Sequence, residues 1–121
     1  MHNKTILIFD DDINILEICS IVLEHFGYRV AVSETSHNVI ERVEEIQPDL
    51  VLMDNWIPSI GGVEATQRLK AHPIYRDIPV IFLSANHNLE KLAQDAGADI
   101  FLEKPFDLDV LENTVKKMLS K

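Results

Sequence analysis

Four apolar runs in the chain each end on a polar residue that can take part in chemistry. Residues 6–9 precede Asp10 and Asp11, residues 50–53 precede Asp54, residues 80–83 precede Ser84, and residues 100–103 precede Lys104. If the runs are parallel strands of one sheet, their carboxyl ends share an edge, which is where open α/β sheets bind ligands. We therefore expect three carboxylates, a hydroxyl and an ammonium group to converge there. One aspartate after one strand would mean little, because Asp commonly caps helices and forms turns.

The apolar pattern alternates between short strands and amphipathic helices along the whole chain. The strands lie near residues 4–9, 28–32, 49–53, 78–83 and 99–103. The helical stretches run from about residue 12 to 26, from near Ser36 to the residue before Pro48, from after Gly61-Gly62 to His72, from 88 to 96, and from 107 onward. This alternation predicts an α/β fold in which helices cover both faces of a parallel sheet. The length is that of one domain, and we expect residues 1–121 to form it.

The charge balance argues against two classes of partner. The chain has 11 Lys and Arg against 20 Asp and Glu, a formal net charge of −9. Nucleic acid and anionic membrane surfaces both require clustered cations, so we expect this domain to bind neither directly. The same excess of carboxylates attracts divalent cations. The sequence shows no basic-then-apolar leader and no apolar run near the roughly 18 residues of a membrane span, which predicts a cytoplasmic protein.

Neither the cysteine nor the histidines predict a metal site. Cys19, the only cysteine, falls on an apolar helical stripe with Ile15, Ile18, Val22 and Phe26, which predicts a small buried side chain. The histidines share neither a strand edge nor metal-ligand spacing, so we expect surface side chains. They are His2, His25, His37, His72 and His87.

The polar strand endings match the motifs of a known family. They are the Asp pair after strand one, Asp54 after strand three with Pro58 and Gly62 downstream, Ser84 after strand four, and Lys104-Pro105-Phe106 after strand five. With these motifs the whole chain resembles a response-regulator receiver domain of bacterial two-component signalling. The resemblance implies a flavodoxin-like, doubly wound (βα)5 fold with strand order 2-1-3-4-5. It also implies that Asp54 accepts a phosphoryl group from a histidine kinase or a phosphotransfer protein, and that the domain is a signalling switch rather than an enzyme.

Phosphorylation of Asp54 requires positive charge beside it. A carboxylate is a weak nucleophile toward an anionic phosphoryl donor, so cations must neutralise the phosphoryl oxygens. Clustered carboxylates suit Mg²⁺, which prefers hard oxygen ligands. By resemblance, Asp11 and Asp54 bind the metal directly, Asp10 acts largely through a water, the backbone carbonyl of Trp56 completes the protein ligands, and Mn²⁺ or Ca²⁺ can substitute. The alternative for Asp10 and Asp11 is a solvated helix N-terminus, the role that we expect for Asp12 as N-cap.

Ser84 and Lys104 are the other expected site residues, and each has a simpler alternative. Ser84 can hydrogen-bond a phosphoryl oxygen on Asp54, or it can merely end a strand and cap a turn. Lys104 can pair with Asp54 at rest and with the aspartyl phosphate afterwards, or it can be an exposed surface cation. Its acidic neighbours favour the paired role. The resemblance also implies a cis Lys104-Pro105 bond, which X-Pro bonds adopt at little cost.

Three further positions concern switching and phosphate lifetime. The family has an aromatic residue at the position of Phe101 that turns inward on activation; the alternative is core packing, with Phe101 buried in both states. Trp56 and Asn86 flank the path of an attacking water in the family fold, and the indole should shield the phosphoryl group. The resemblance implies that the face of helix four, strand five and helix five binds a partner protein or output domain, and it allows a phosphorylation-dependent dimer.

Three other functions remain open from the sequence. A Mg²⁺-dependent phosphohydrolase or phosphotransferase of similar fold usually needs an acid/base carboxylate two residues after its nucleophile, where this chain has Trp56, and a cap region, for which no insertion is present. A flavodoxin-like cofactor carrier needs a phosphate-binding Gly/Ser/Thr-rich loop after strand one, where three aspartates stand. A pseudo-receiver would signal without phosphate, although all the acceptor-site residues are present here.

Overall fold

The computed structural model describes residues 4–120 and contains five parallel strands and five helices. The sheet has the order β2-β1-β3-β4-β5, which confirms the doubly wound α/β fold expected from the sequence. The strands are β1 (Thr5–Phe9), β2 (Arg29–Ser33), β3 (Leu50–Asp54), β4 (Val80–Ser84) and β5 (Ile100–Glu103). The helices are α1 (Ile13–His25), α2 (Val39–Ile46), α3 (Gly61–Ala71), α4 (Leu89–Ala96) and α5 (Leu108–Leu119).

The central strands are buried because helices cover both sides of the sheet. Every residue of β3 and β4 is buried. On one face Phe9, Met53 and Phe82 pack with the apolar sides of α2, α3 and α4. On the other face Ile8 and Leu83 belong to a second core that includes residues of α1 and α5. Two-sided burial explains why these strands read as continuous apolar runs rather than alternating ones.

The strand register brings the polar endings to one edge of the sheet. Asp10 lies level with Asp54, because the residues before them are in register across β1 and β3. Asp54 is in register with the residue before Ser84 in β4. Ser84 is in register with the residue before Lys104 in β5. The four endings therefore follow one another across the sheet with a stagger of one residue at each of the last two steps.

Helix boundaries follow the expected signals with two exceptions. Asp12 caps α1, because its carboxylate accepts a 2.9 Å hydrogen bond from the backbone N–H of Asn14, and Gly27 follows the helix in the left-handed conformation at φ 95°. One exception is α3, which begins at Gly61 rather than after Gly61-Gly62. The other is α2, which begins at Val39 rather than near Ser36. The Ser36 hydroxyl is hydrogen-bonded to another loop instead of capping the helix. None of the helices in residues 4–120 is long and apolar enough to cross a membrane.

The buried face of α1 differs from the expected stripe. Cys19 is fully buried as expected, and burial raises the pKa of its thiol to about 11. Its buried neighbours on the helix are Leu16 and Leu23, whereas Ile18 and Phe26 are each 44% exposed. Because α1 carries apolar residues around most of its circumference, periodicity alone does not decide which side faces the sheet.

One histidine departs from the surface placement expected for all five. His72 is half-buried, its ring stacks on Tyr75 at a centroid distance of 4.5 Å, and its Nδ1 accepts a 3.1 Å hydrogen bond from the backbone N–H of Ile74. It closes the turn after α3. His2 lies outside the described residues. The exposed histidines are His25, His37 and His87.

Candidate functional site

Three aspartates form an acidic cluster at the carboxyl end of the sheet. Carboxylate oxygens of Asp10, Asp11 and Asp54 lie within 4.8 Å of one another, and residues 4–120 contain no second group of three or more acidic, histidine or cysteine side chains placed this way. Asp10 and Asp54 are buried, whereas Asp11 is exposed. Three oxygen donors with one open side suit a hard divalent cation such as Mg²⁺, which usually keeps several of its waters.

Lys104 balances the charge of two of these carboxylates. Its Nζ lies 2.8 Å from Oδ1 of Asp54 and 2.8 Å from Oδ2 of Asp10. Burial alone would lower the pKa of the Lys104 ammonium, but its hydrogen bonds to Asp10 and Asp54 outweigh burial, and the pKa lies above its ordinary value. The sequence predicted the pair with Asp54. The bond to Asp10 has no local sequence signal, because two strands separate β1 from β5 in the sheet.

Asp54 binds a proton more readily than an ordinary aspartate. Burial raises the pKa of its carboxyl to about 6, and the negative charges of Asp10 and Asp11 add to this effect, while the hydrogen bond from Lys104 opposes it. Near neutral pH the site therefore holds a carboxylate whose charge is only partly compensated. A cation placed among the three aspartates would complete the compensation.

Asp10 and Asp12 make different hydrogen bonds at the start of α1. Both oxygens of Asp10 accept hydrogen bonds, Oδ1 from the backbone N–H of Asp12 at 2.9 Å and Oδ2 from Lys104. Asp12 caps the helix, as the sequence predicted, and does not belong to the acidic cluster. The Asp10 oxygens are thus already occupied, whereas Asp11 stands free on the solvent side.

The loop after β3 (residues 55–60, the β3–α3 loop) is held tightly against Asp54. The backbone N–H of Asn55 donates to the carbonyl of Leu83 at 2.8 Å, and the N–H of Gly62 donates to the carbonyl of Asn55 at 3.1 Å. A Cβ atom at residue 62 would overlap the carbonyl oxygen of Asp54. Only glycine permits this close approach of α3 to Asp54.

The hydroxyl of Ser84 is buried and is bound to its own loop. Its Oγ accepts a 2.9 Å hydrogen bond from the backbone N–H of Asn86, and the Asn86 side chain in turn accepts from the N–H of Asn88 at the start of α4. The backbone carbonyl of Ser84 accepts from the N–H of Lys104 at 2.9 Å. The Lys104-Pro105 peptide bond is cis, as the resemblance implied. Ser84 therefore connects the site to both the β4–α4 loop and β5.

Phe101 does not lie in the core. The expectation that it could remain buried is wrong for this conformation, because its side chain is 40% exposed. Phe101 belongs to β5, an edge strand of which only Leu102 is buried. Central-strand burial therefore does not extend to this position, and the outward orientation is the one from which an inward turn could start.

Trp56 stands beside the open side of the acidic cluster. Its side chain is 78% exposed, and it lines a shallow depression of about 500 Å³ together with Asp11 and the rest of the β3–α3 loop. The indole is thus near the acidic cluster but makes little contact with the protein core.

A comparison with protein families identifies the arrangement. The family model of the response regulator receiver domain matches residues 6–116. The chain belongs to this receiver family. Receiver domains are signalling modules rather than classical enzymes, and they take phosphate from histidine kinases and act on output domains.

Similar proteins carry the receiver domain in different contexts. The chain is 37% identical to part of the CAI-1 autoinducer sensor kinase/phosphatase CqsS of Vibrio cholerae, with 94% of the chain but 17% of that protein covered. It is 35% identical to the phosphate regulon transcriptional regulatory protein PhoB of Pseudomonas aeruginosa, covering 98% of the chain and 53% of PhoB. Sporulation initiation phosphotransferase F of Bacillus subtilis is 34% identical over 98% of the chain and 96% of its own length. The chain therefore spans about half or less of the first two relatives.

Solved receiver structures have the same fold. The signal receiver domain of a histidine kinase from Syntrophus aciditrophicus superposes with a TM-score of 0.89 at 30% identity, covering 97% of this chain and 90% of that one. The receiver domain of the sensor histidine kinase PA1611 from Pseudomonas aeruginosa has a TM-score of 0.90 at 27% identity, covering 99% and 100%. A magnesium ion is coordinated in the active-site cleft of the PA1611 structure.

Proposed function

We propose that this receiver domain accepts a phosphoryl group on Asp54, with Mg²⁺ as cofactor, from a histidine kinase or a phosphotransfer protein. The observation that carries the proposal is the meeting of a buried acceptor carboxylate with two further aspartates and one ammonium group at the carboxyl edge of the sheet. A site that needed only structural charge balance would not require an exposed third carboxylate such as Asp11. The open depression beside Asp11 leaves room for a donor.

The metal ligands that we propose follow from how each oxygen is already used. Asp54 and the free carboxylate of Asp11 would bind Mg²⁺ directly, and the Trp56 carbonyl would add a ligand from the β3–α3 loop. Both oxygens of Asp10 already accept hydrogen bonds, which supports an indirect role through water. Mn²⁺ or Ca²⁺ would fit the same oxygen ligands with different geometry.

The transfer that we propose forms one bond and breaks one. A carboxylate oxygen of Asp54 attacks the phosphorus of the donor phosphohistidine, the P–N bond breaks, and its electron pair leaves with the imidazole. Lys104, 2.8 Å from Oδ1 of Asp54, compensates part of the arriving negative charge. The bound metal would supply the remaining positive charge at the phosphoryl oxygens.

The response that we propose begins at Ser84. Its hydroxyl would move toward a phosphoryl oxygen to donate a hydrogen bond, and we propose that this movement draws it away from the backbone N–H of Asn86 and releases the loop that leads into α4. Phe101 on β5 would turn inward in the same transition. The face of α4, β5 and α5 would then bind a partner protein, an output domain or a second copy. A change of charge at one site biases a two-state element elsewhere in this scheme.

Two rival functions are less well supported. A turnover phosphohydrolase would need an acid/base carboxylate near position 56, but that residue is a tryptophan with an exposed side chain. A phosphate-independent pseudo-receiver would not need the pairing of Lys104 with Asp54.

We also propose that the domain works in the cytoplasm and that Asn86 and Trp56 set the lifetime of the phosphate.

Acetyl phosphate with Mg²⁺, followed by intact-protein mass spectrometry, tests the acceptor assignment. The parent protein should gain one phosphate, and Asp54→Asn should gain none. Asp12→Asn is a matched control, because Asp12 lies in the same acidic segment but caps α1; it should be labelled like the parent. Equal labelling of Asp54→Asn and the parent would refute the assignment.

A further inference from the structure

Ser36, between β2 and α2, holds the β3–α3 loop. The residue is fully buried, and its backbone N–H and its hydroxyl both donate to the carbonyl of Pro58 at 3.1 Å. The hydroxyl also accepts a 3.3 Å hydrogen bond from the backbone N–H of Ile60. Within residues 4–120, no other residue outside this loop and α3 makes a hydrogen bond to residues 56–60. Ser36 is therefore the polar anchor of the segment that follows Asp54.

The segment that Ser36 holds contains a strained residue. Ser59 lies between Pro58 and Ile60 and has a φ of 90°, in the left-handed region that a non-glycine residue rarely adopts. Such a conformation persists only where the surroundings stabilise it. The three hydrogen bonds of Ser36 to the peptide groups on either side of Ser59 provide that stabilisation.

The same segment begins at Trp56, whose backbone carbonyl is one of the Mg²⁺ ligands in the proposed function. The indole of Trp56 is 78% exposed, so side-chain packing does not fix this residue. Its backbone is instead fixed from both sides, at Asn55 by the hydrogen bond to the carbonyl of Leu83 and at Pro58 by Ser36. Ile57, which is 4% exposed, adds an apolar anchor between them.

We propose that Ser36 is a positioning residue for the metal site, holding the strained turn at Ser59 and thereby the direction of the Trp56 carbonyl. This inference rests on the proposed function, because it assumes that the carbonyl is a Mg²⁺ ligand. Loss of the Ser36 hydroxyl leaves the three aspartates and the backbone hydrogen bond from Ser36 to Pro58 in place but removes the two hydroxyl bonds that hold the turn at Ser59. The Trp56 carbonyl is then held less firmly, and the metal loses part of the contribution of one ligand. A purely structural serine would lower stability without changing Mg²⁺ affinity.

Mg²⁺ titration of Trp56 fluorescence tests the inference, because Trp56 is the only tryptophan of the chain. Ser36→Ala should raise the half-saturating Mg²⁺ concentration by roughly tenfold, which is the lower end of the effect of removing a group that orients a metal ligand. Phosphorylation by acetyl phosphate should recover at saturating Mg²⁺. Thr35→Ala is the matched control, because the Thr35 hydroxyl bonds His37 in the same loop and not residues 56–60; it should titrate like the parent.

Two further variants make the result decisive. Ser36→Cys keeps the side-chain shape but replaces the hydroxyl with a weakly bonding thiol, so it should shift the titration in the same direction even if the alanine variant folds poorly. In a Ser59→Gly background the left-handed residue is no longer strained, and Ser36→Ala should then shift the titration much less. If Ser36→Ala and Ser36→Cys titrate within about twofold of the parent, Ser36 does not position the site. A flat titration of the parent would instead refute the metal site itself.

Discussion

Asp54 is a buried carboxyl that must be ionised to act as a nucleophile. Its side chain is 6% exposed, and the ammonium of Lys104 is shared with Asp10. The negative charge of the site is therefore only partly balanced, because one cation faces two buried acids. In the proposed function, metal binding and phosphotransfer would both reduce this imbalance of charge, and stability measurements can detect it.

The pH dependence of stability should reveal the raised pKa of Asp54. The folded-state pKa of about 6 exceeds the ordinary value of 3.8, so the folded protein holds more protons than the unfolded chain between these pH values. The contribution of Asp54 to the free energy of unfolding therefore falls as pH rises through this window and stays low above it. Asp54→Asn lacks the effect and should be more stable than the parent at pH 7 by about 1–3 kcal/mol.

Thermal or urea unfolding of both proteins from pH 4 to pH 7 measures this difference. The stability advantage of Asp54→Asn should grow with pH and shrink when Mg²⁺ is added to both proteins, because the metal compensates only the parent's charge. An advantage that is constant across the pH range would mean that Asp54 ionises as readily in the folded protein as in the unfolded chain.

At the scale of elements, the start of α3 is pressed against the end of β3. Gly62 allows this contact, since a Cβ there would overlap the Asp54 carbonyl oxygen. Gly61 precedes it with a φ of 79° but has open space around its Cα hydrogens. Gly62 is thus required because there is no space for a side chain, whereas Gly61 is favoured because its backbone is left-handed.

Alanine substitutions should separate these two needs. Gly62→Ala should destabilise the fold by about 1–3 kcal/mol through overpacking, and it should also weaken the Mg²⁺ response of Trp56, because the backbone of Asp54 and Asn55 must move. Gly61→Ala should cost about 1–2 kcal/mol through its left-handed conformation and leave the Mg²⁺ titration nearly unchanged. Unfolding free energies and fluorescence titrations of both variants provide the measurement. Equal losses of Mg²⁺ affinity would show that the close approach at Gly62 has no special importance for the site.

At the scale of the whole molecule, Lys104 connects the site to the edge strand β5. Its side chain bonds Asp54 and Asp10, its backbone bonds Ser84, and it follows the strand that carries Phe101. A change in charge at Asp54 can therefore reach β5 and, through Ser84 and Asn86, the start of α4.

Lys104→Met should uncouple phosphorylation from this rearrangement. The negative charge added at Asp54 would no longer attract the Lys104 side chain that follows β5, although the metal held by the aspartates would still compensate that charge. Amide hydrogen exchange across residues 86–106 should change when beryllofluoride is added to the parent and much less in the variant. Mass spectrometry can confirm that both proteins carry the ligand, and Lys91→Met, which removes an exposed lysine of α4, serves as control. The same exchange response in Lys104→Met and the parent would remove Lys104 from the switch.

The order of the elements and the identity of the clustered aspartates were readable from the chain, because two-sided burial imposes continuous apolar strands and parallel strands bring their carboxyl ends to one edge. The caps at Asp12 and Gly27 were readable because capping depends on the type of residue next to each helix end. Tertiary packing alone decided which side of α1 is buried and that Phe101 is exposed. Tertiary packing also decided that Lys104 bonds Asp10, which is 94 residues away in the chain. It likewise decided that Ser36 bonds Pro58 and Ile60 of the β3–α3 loop, which are 22 and 24 residues away. Such contacts depend on where the sheet places the loops, and neither periodicity nor local propensity encodes that distance.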